Sequence, residues 1–181
     1  MAFGAVLDTC VLYPFSLCDL LLRLADRELY DPFWSDSILG ELERNLREHG
    51  LTDDQVAHRV SRMRAAFPEA LVPAAAVTRL ERAMTNDTKD RHVLAAAVAS
   101  PAEAVVTVNL RHFRREDCEP YDISVLHPDE FLVTLLDLDP STVRAELSAQ
   151  TAALTRPAVT FDELLSMLER AGVPDFVARI R

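Results

Sequence analysis

A carboxylate at the end of an unbroken apolar run is the first candidate for chemistry in this sequence. Residues 3–7 are apolar or small without alternation, and Asp8 follows them directly. Such a run is typical of a strand buried on both faces of a parallel sheet. Ligands of open α/β sheets bind just beyond the carboxyl ends of the strands, where Asp8 is expected. Taken alone, Asp8 is better explained as the end of a strand, so a ligand site requires further acids at this edge.

A second carboxylate, Asp90, is placed on the buried face of a helix by its spacing. Val93, Leu94 and Ala97 follow it at three, four and seven positions, which are neighbours on one helix face. A buried carboxylate needs a partner, and a bound cation is one. The plain alternative is a helix cap, a role that either Asp87 or Asp90 can fill.

Polar side chains also follow a second expected strand. Thr107 and Asn109 offer a hydroxyl and an amide oxygen at the same sheet edge as Asp8, although asparagine after a strand is also a common turn residue. Two glutamates, Glu41 and Glu43, flank the apolar stripe of an expected helix. Its periodicity does not choose between them.

The elements that position these residues predict an α/β sandwich with a mainly parallel sheet. Strands are expected before Asp8, at 104–108 and at 123–126, and residues 31–32 are expected only to interrupt the helical pattern. The predicted helix starts in this part of the chain are Pro14, Ser35 or Asp36, and Thr52, where Gln55 completes a capping box.

The chain beyond Pro128 is expected to be purely helical. Asp139 and a second capping box, formed by Thr160 and Glu163, begin two of its helices. The sequence therefore divides into residues 1–138 and a helical C-terminal extension, residues 139–181. The extension is expected to pack on the core or to present a surface to a partner.

Composition narrows the class of protein further. The chain has 181 residues, of which 49% are hydrophobic, and its formal net charge is −10. An acidic surface disfavours sequence-independent binding along a nucleic-acid phosphate backbone, but it allows a small local site that binds nucleic acid. No apolar run approaches the length of a membrane span, which is about 20 residues. The three cysteines lack metal-type spacing, which predicts reduced thiols and a cytoplasmic location.

Four stretches, taken in order, resemble the motifs of PIN-domain nucleases, a family that includes the VapC-type toxins of prokaryotic toxin–antitoxin pairs. Residues 7–14 and 90–97 resemble in particular a bacterial subfamily with a helical C-terminal extension. The four stretches are Leu7-Asp8-Thr9, Ile38-Leu39-Gly40-Glu41-Leu42, residues 90–97 and residues 105–113.

The resemblance implies a PIN-like three-layer sandwich with a mainly parallel central sheet, in which residues 1–138 form the nuclease domain. It selects Glu41 over Glu43 because the family's glutamate has the same context. It also implies that Asp8, Glu41, Asp90 and Asn109 form the catalytic site that binds Mg²⁺ or Mn²⁺. The supporting residues expected around this site are Thr9, Thr107, Asp87 and His112.

The activity that the resemblance implies is metal-dependent endoribonuclease cleavage by a cytoplasmic toxin. The expected partners are an RNA substrate, an antitoxin protein and a second copy of the chain, with no membrane. Three positions depart from the family's pattern. Cys10 replaces a common Asn or Ser, Cys18 replaces an Arg, and His112 replaces an Asp. The last change removes an acid from the rim of the site and predicts a weaker second metal position.

Two alternative functions belong to other classes. With His112 in place, the fold could be a catalytically weak or inactive module that binds RNA or a protein without cutting. A phosphotransferase with Asp8 as the nucleophile, as in haloacid-dehalogenase-like enzymes, requires a second aspartate two residues later. That position holds Cys10, which disfavours this alternative.

Overall fold

The computed structural model describes residues 3–181. Its sheet has four strands in the order β2-β1-β3-β4, and all three pairings are parallel. Every residue of β1 is buried although successive side chains point to opposite faces, so helices cover both faces of the sheet. The predicted three-layer sandwich is confirmed. The strands are β1 (Gly4–Leu7), β2 (Asp31–Phe33), β3 (Ala102–Val106) and β4 (Ser124–Leu126).

Helices occupy the segments between and after the strands. The seven that precede β4 are α1 (Thr9–Leu12), α2 (Phe15–Asp26), α3 (Asp36–Glu48), α4 (Asp53–Ala66), α5 (Ala74–Glu81), α6 (Arg91–Val98) and α7 (Arg115–Cys118). Four more follow it: α8 (Pro128–Leu138), α9 (Pro140–Ala153), α10 (Phe161–Arg170) and α11 (Pro174–Ile180). Single 3₁₀ turns lie at Pro68–Ala70, Thr88–Asp90, Leu110–His112 and Glu119–Tyr121.

The sheet register brings the ends of the two central strands together. Leu7 of β1 pairs with Val106 of β3, so the residues that follow them, Asp8 and Thr107, are neighbours at the C-terminal edge. At the other end of β1, Gly4 is required by close packing. A Cβ atom on Gly4 would lie 2.8 Å from both the Phe33 ring and a backbone carbonyl oxygen, so only glycine allows the neighbouring strand and loop to approach.

Local capping signals were predicted correctly. Thr52 and Thr160 each form a complete capping box, with Gln55 and Glu163 respectively. Of the two predicted starts for α3, Ser35 is the cap, because its side chain accepts a hydrogen bond from the backbone N–H of Ile38.

The sequence-based prediction lacks β2 and the helices α1, α5 and α7. Residues 31–33 form β2, where only a break in the helical pattern was expected. Pro32 has no backbone N–H to donate. It is tolerated because β2 is an edge strand, which has a neighbouring strand on one side only. Helix α5 was not predicted. It is short and alanine-rich, and only its Val77 is buried, so it lacks an apolar periodicity.

The C-terminal helices contact α2 and the residue that follows it through one buried and one partly buried polar contact. Gln150 of α9 donates its side-chain N–H to the carbonyl oxygen of Ser16 at 2.9 Å. Arg27 donates to the Glu146 carboxylate at 2.6 Å. The extension therefore packs on the core, one of its two expected arrangements. Within residues 3–181, none of the helices combines the length and apolarity needed to cross a bilayer.

Candidate active site

Asp8 lies between the end of β1 and the start of α1 and is only 3% exposed. Its Oδ2 atom accepts hydrogen bonds from the Thr107 hydroxyl at 2.6 Å and from the Cys10 thiol at 3.1 Å. Both donors are neutral, and within the described residues no cationic side chain pairs with this carboxylate. Burial raises the pKa of Asp8, and the nearby charge of Asp90 raises it further, although the two hydrogen bonds oppose this shift.

Glu41 reaches the same region from α3. The Thr9 hydroxyl lies 3.2 Å from the carbonyl oxygen of Ile38 and 3.3 Å from Oε2 of Glu41, which ties the start of α1 to α3. Glu43 points elsewhere and pairs with Arg47 at 3.3 Å. The structure thus brings Glu41 rather than Glu43 towards Asp8.

The imidazole of His92, in the first turn of α6, lies beside the Glu41 carboxylate. Its Nε2 atom lies 3.6 Å from Oε2 of Glu41, which is too long for a hydrogen bond, so this buried nitrogen has no partner among the described residues. Burial lowers the pKa of His92, but the interaction with Glu41, followed by the charges of Asp8 and Asp90, outweighs it and raises the pKa. In return, His92 lowers the pKa of Glu41. His92 therefore connects the start of α6 to Glu41 of α3 at the candidate site.

Asp90 and Asp87 have different roles in the turn before α6. The side chain of Asp87 is exposed and accepts the backbone N–H of Lys89 at 3.0 Å, so Asp87 caps the turn. Asp90 is 8% exposed and makes no capping hydrogen bond to α6. Its Oδ2 atom lies 2.6 Å from Nδ1 of His112. His112 thus contacts one of the candidate ligand carboxylates directly.

Thr107 and Asn109 lie at the end of β3, as predicted. The Thr107 hydroxyl accepts the backbone N–H of Asn109 at 3.0 Å while it donates to Asp8. The carbonyl oxygen of Asn109 accepts the backbone N–H of His112 at 2.8 Å. The side-chain amide of Asn109, by contrast, makes no hydrogen bond within the described residues. Its role as a metal ligand stays a prediction.

Cys10 takes part in the site, which its position in the sequence did not reveal. Its sulfur lies 3.1 Å from Asp8 Oδ2 and 3.4 Å from the Thr107 hydroxyl, and it accepts the backbone N–H of Val108 at 3.3 Å. Burial, followed by the charge of Asp8, raises the pKa of Cys10 to about 12. At neutral pH this side chain is therefore a neutral thiol that donates to Asp8.

The donor chemistry of this edge fits a hard divalent cation. Carboxylate oxygens are the ligands that Mg²⁺ and Mn²⁺ prefer, and Asp8 is a buried carboxylate whose partners leave its charge uncompensated. The arrangement is not preformed, because the described residues contain no group of three or more His, Cys, Asp or Glu side chains placed around a common cation position.

Comparison with known proteins agrees with the motif resemblance. Residues 128–181 match the model described as the VapC50 C-terminal domain. A relative from Mycobacterium tuberculosis named "Putative ribonuclease VapC50" is 46% identical over 99 residues. That alignment covers 55% of this chain and 58% of the relative, so the match spans little more than half of either protein. No solved structure matches the chain.

A second family model covers the part of the chain that carries the sheet and the candidate site. It is described as the PIN domain and matches residues 4–111. This range contains β1, β3, all four predicted site residues and His92. The chain therefore belongs to the PIN-domain family.

Proposed function

We propose that this protein is a Mg²⁺- or Mn²⁺-dependent endoribonuclease that acts as the toxin of a toxin–antitoxin pair. Membership of the PIN-domain family and the name of the relative support this activity. The observation that carries the proposal is Asp8, a buried carboxylate at the C-terminal edge of the sheet whose two hydrogen-bond donors, the Thr107 hydroxyl and the Cys10 thiol, are both neutral. A site of this kind gains stability when a cation enters it.

In this proposal, Asp8, Glu41, Asp90 and Asn109 hold the cation. A bound divalent cation lowers the pKa of a water molecule and offsets negative charge on the leaving oxygen of the phosphodiester. The threonine hydroxyls have a positioning role, since Thr107 fixes the orientation of Asp8 and Thr9 that of Glu41.

Cleavage of purified RNA with Mg²⁺, Mn²⁺ or EDTA tests the activity. Asp8→Asn and Glu41→Gln should each reduce the rate by about 100-fold or more, because even residues that only support metal ligands contribute up to that factor. Glu43→Gln is the matched control, since Glu43 lies on the same helix but pairs with Arg47. Cleavage that persists in EDTA, or in Asp8→Asn, would contradict the proposal.

The proposed partners are RNA, an antitoxin protein and a second copy of the chain, all in the cytoplasm. Expression of the protein should arrest growth of a bacterial host, and Asp8→Asn should relieve the arrest. Co-expression of a small protein encoded beside the toxin gene should relieve it as well and should co-purify with the toxin. Light scattering of the purified protein measures whether it forms a dimer.

A second function, binding RNA without cutting it, is favoured by one observation. His112 Nδ1 lies 2.6 Å from Asp90 Oδ2 and competes with a cation for that oxygen. If the wild type binds but does not cleave RNA, His112→Asp should introduce Mg²⁺-dependent cleavage, because it replaces the imidazole with an oxygen ligand. If the wild type is active, we expect it to prefer Mn²⁺, which accepts nitrogen ligands more readily, and His112→Asp should shift the preference towards Mg²⁺.

A further inference from the structure

An open groove of about 610 Å³ lies beside α3, and its lining includes Glu41 and His92 of the candidate active site. One wall is formed by residues of α3 at positions i, i+3 and i+7, which share a helix face: Ser37, Gly40 and Arg44. Lys89 contributes to the wall from the turn before α6. We refer to this feature as the α3 groove.

The α3 groove carries two cations that are free of ion-pair partners. Within the described residues, neither Arg44 nor Lys89 has an acidic group within 4.0 Å. Arg47, three positions after Arg44 on the same helix, is by contrast paired with Glu43 and Asp53. Lys89 is the only lysine in a chain whose formal net charge is −10. Two cationic side chains without a close ion-pair partner therefore line the groove beside the acidic site.

Gly40 leaves the α3 wall of the groove without a side chain at this position. It lies inside α3, where glycine is less favourable than alanine. A Cβ atom built on Gly40 would meet no other atom within 4 Å, so packing does not exclude a side chain at this position. A glycine that packing does not require, facing a groove that leads to an active site, is typical of close approach by a ligand.

From these observations we infer that the α3 groove binds the sugar–phosphate backbone of single-stranded RNA next to the scissile bond. Arg44 and Lys89 each contact a phosphate, and Gly40 lets the ribose chain lie directly on α3. Glu81 also lines the groove and repels phosphates, so the backbone follows the α3 wall. This inference rests on the proposed function, because it places the RNA at the site that cuts it.

Charge variants test the groove through binding rather than cleavage. Fluorescence anisotropy of a short labelled single-stranded RNA is measured over a range of NaCl concentrations, in an Asp8→Asn background that prevents cleavage. Arg44→Ala and Lys89→Ala should each weaken binding by about fivefold. Each should also reduce, by about 0.7, the magnitude of the slope of log association constant against log NaCl concentration. Arg170→Ala, which removes an exposed arginine from α10, should leave binding unchanged, and Glu81→Gln should strengthen it.

The glycine provides a test in which stability and binding move in opposite directions. Gly40→Ala should raise the melting temperature, because alanine favours the helix and its Cβ meets open space. It should nevertheless weaken RNA binding, and Gly40→Leu should weaken it further. A variant that unfolds would be recognised by its melting curve, so weaker binding cannot be confused with loss of the fold.

The outcomes separate this inference from the proposed function. If the protein with Asp8 intact cleaves RNA while Arg44→Ala, Lys89→Ala and Gly40→Leu bind like the parent, the groove is overturned and the nuclease stands. If the groove variants weaken binding but no metal supports cleavage, the groove stands and the nuclease fails. If the protein neither binds nor cleaves RNA, both are overturned.

Discussion

The buried carboxylates of the C-terminal helices, α8–α11, and those of the candidate site differ in their partners. Asp129 of α8 accepts hydrogen bonds from the backbone N–H groups of Asp175 and Phe176 at 3.0 and 2.7 Å, at the start of α11. Glu146 accepts the Arg27 guanidinium at 2.6 Å. Each of these acids is compensated by a fixed donor within the chain, as buried charges in a stable fold require.

At the sheet edge the compensation is incomplete. Among the described residues, Asp8 receives hydrogen bonds only from a hydroxyl and a thiol, and the unpartnered Nε2 of His92 lies 3.6 Å from the Glu41 carboxylate. Acids that are close together repel one another when no cation is bound. We therefore expect the carboxylates of the C-terminal helices to stabilise the fold, and those at the sheet edge to lower its stability unless the proposed cation is bound. Four predictions test this difference, from the largest expected effect to the smallest.

Removal of the extension should have the largest effect. A chain that ends after Leu138 loses α9–α11, including the Gln150 contact with Ser16, and exposes the apolar face of α2 to water. We expect it to aggregate on expression, measured as the soluble fraction and by size-exclusion chromatography. A soluble truncated protein with an unchanged melting temperature would contradict the prediction.

The domain boundary after residue 138 stays a prediction that a second truncation sharpens. The C-terminal family match begins at residue 128 and so includes α8. In the structure, Phe131 of α8 packs on Tyr30 and Phe3, with ring centroids 4.9 and 5.8 Å apart. A chain that ends after His127 should therefore be less soluble than the chain that ends after Leu138.

The second prediction concerns Asp90. Metal-free Asp90→Asn should be as stable as the wild type or more stable, because it removes one of the repelling charges. It should lose the stabilisation that Mg²⁺ or Mn²⁺ gives the wild type, which is about 2.7 kcal/mol at a metal concentration of 100 Kd. Thermal melting with and without metal measures both effects.

Asp87→Asn is the control for Asp90→Asn, since Asp87 caps the turn and asparagine also caps. It should retain the metal-dependent rise in melting temperature. A large loss of stability in metal-free Asp90→Asn would show that Asp90 is a structural residue like Asp129.

The comparison also separates what the sequence could predict from what it could not. Asp8 and Asp90 were proposed as ligands because their signals are local: Asp8 ends an apolar run, and Asp90 precedes the apolar residues of α6 at helical spacing. The same holds for the capping boxes at Thr52 and Thr160. By contrast, β2 was missed, because a three-residue edge strand containing Pro32 has no periodicity.

The choice between two glutamates could not be made from periodicity. Glu41 is distinguished by the Thr9 hydroxyl, a residue 32 positions away in sequence, and by His92 on another helix. The contact of Cys10 with Asp8 and the α3 groove were missed for the same reason. They depend on the relative placement of separate segments, which no single stretch of sequence specifies.

The third prediction tests the compensated carboxylates. Asp129→Ala leaves two backbone N–H groups at the start of α11 without an acceptor, so it should lower the free energy of unfolding by about 1–2 kcal/mol. Asp137 lies on α8 like Asp129, but it is exposed and pairs with the exposed Arg179 of α11. Asp137→Ala should therefore have almost no effect on the free energy of unfolding. Equal effects of the two substitutions, measured by urea unfolding, would contradict the distinction.

The smallest effect is expected at Asp139, a half-buried carboxylate that is compensated by hydrogen bonds alone. The hydroxyl groups and backbone N–H groups of Ser141 and Thr142 donate to it and lower its pKa from 3.8 to about 2. Because the folded pKa is depressed, the stabilisation is complete above the unfolded value of 3.8 and is lost as the pH falls towards 2.

Asp139→Asn keeps a capping oxygen but cannot ionise. The wild type should therefore be slightly more stable than this variant above about pH 4. The difference should disappear as the pH approaches 2. Unfolding curves across this range measure it, with Asp162→Asn in the first turn of α10 as a control for loss of an exposed acid. A difference in stability between wild type and Asp139→Asn that does not change with pH would show that the charge of Asp139 contributes nothing. Compensation by hydrogen bonds would then not explain how the extension's carboxylates differ from those at the sheet edge.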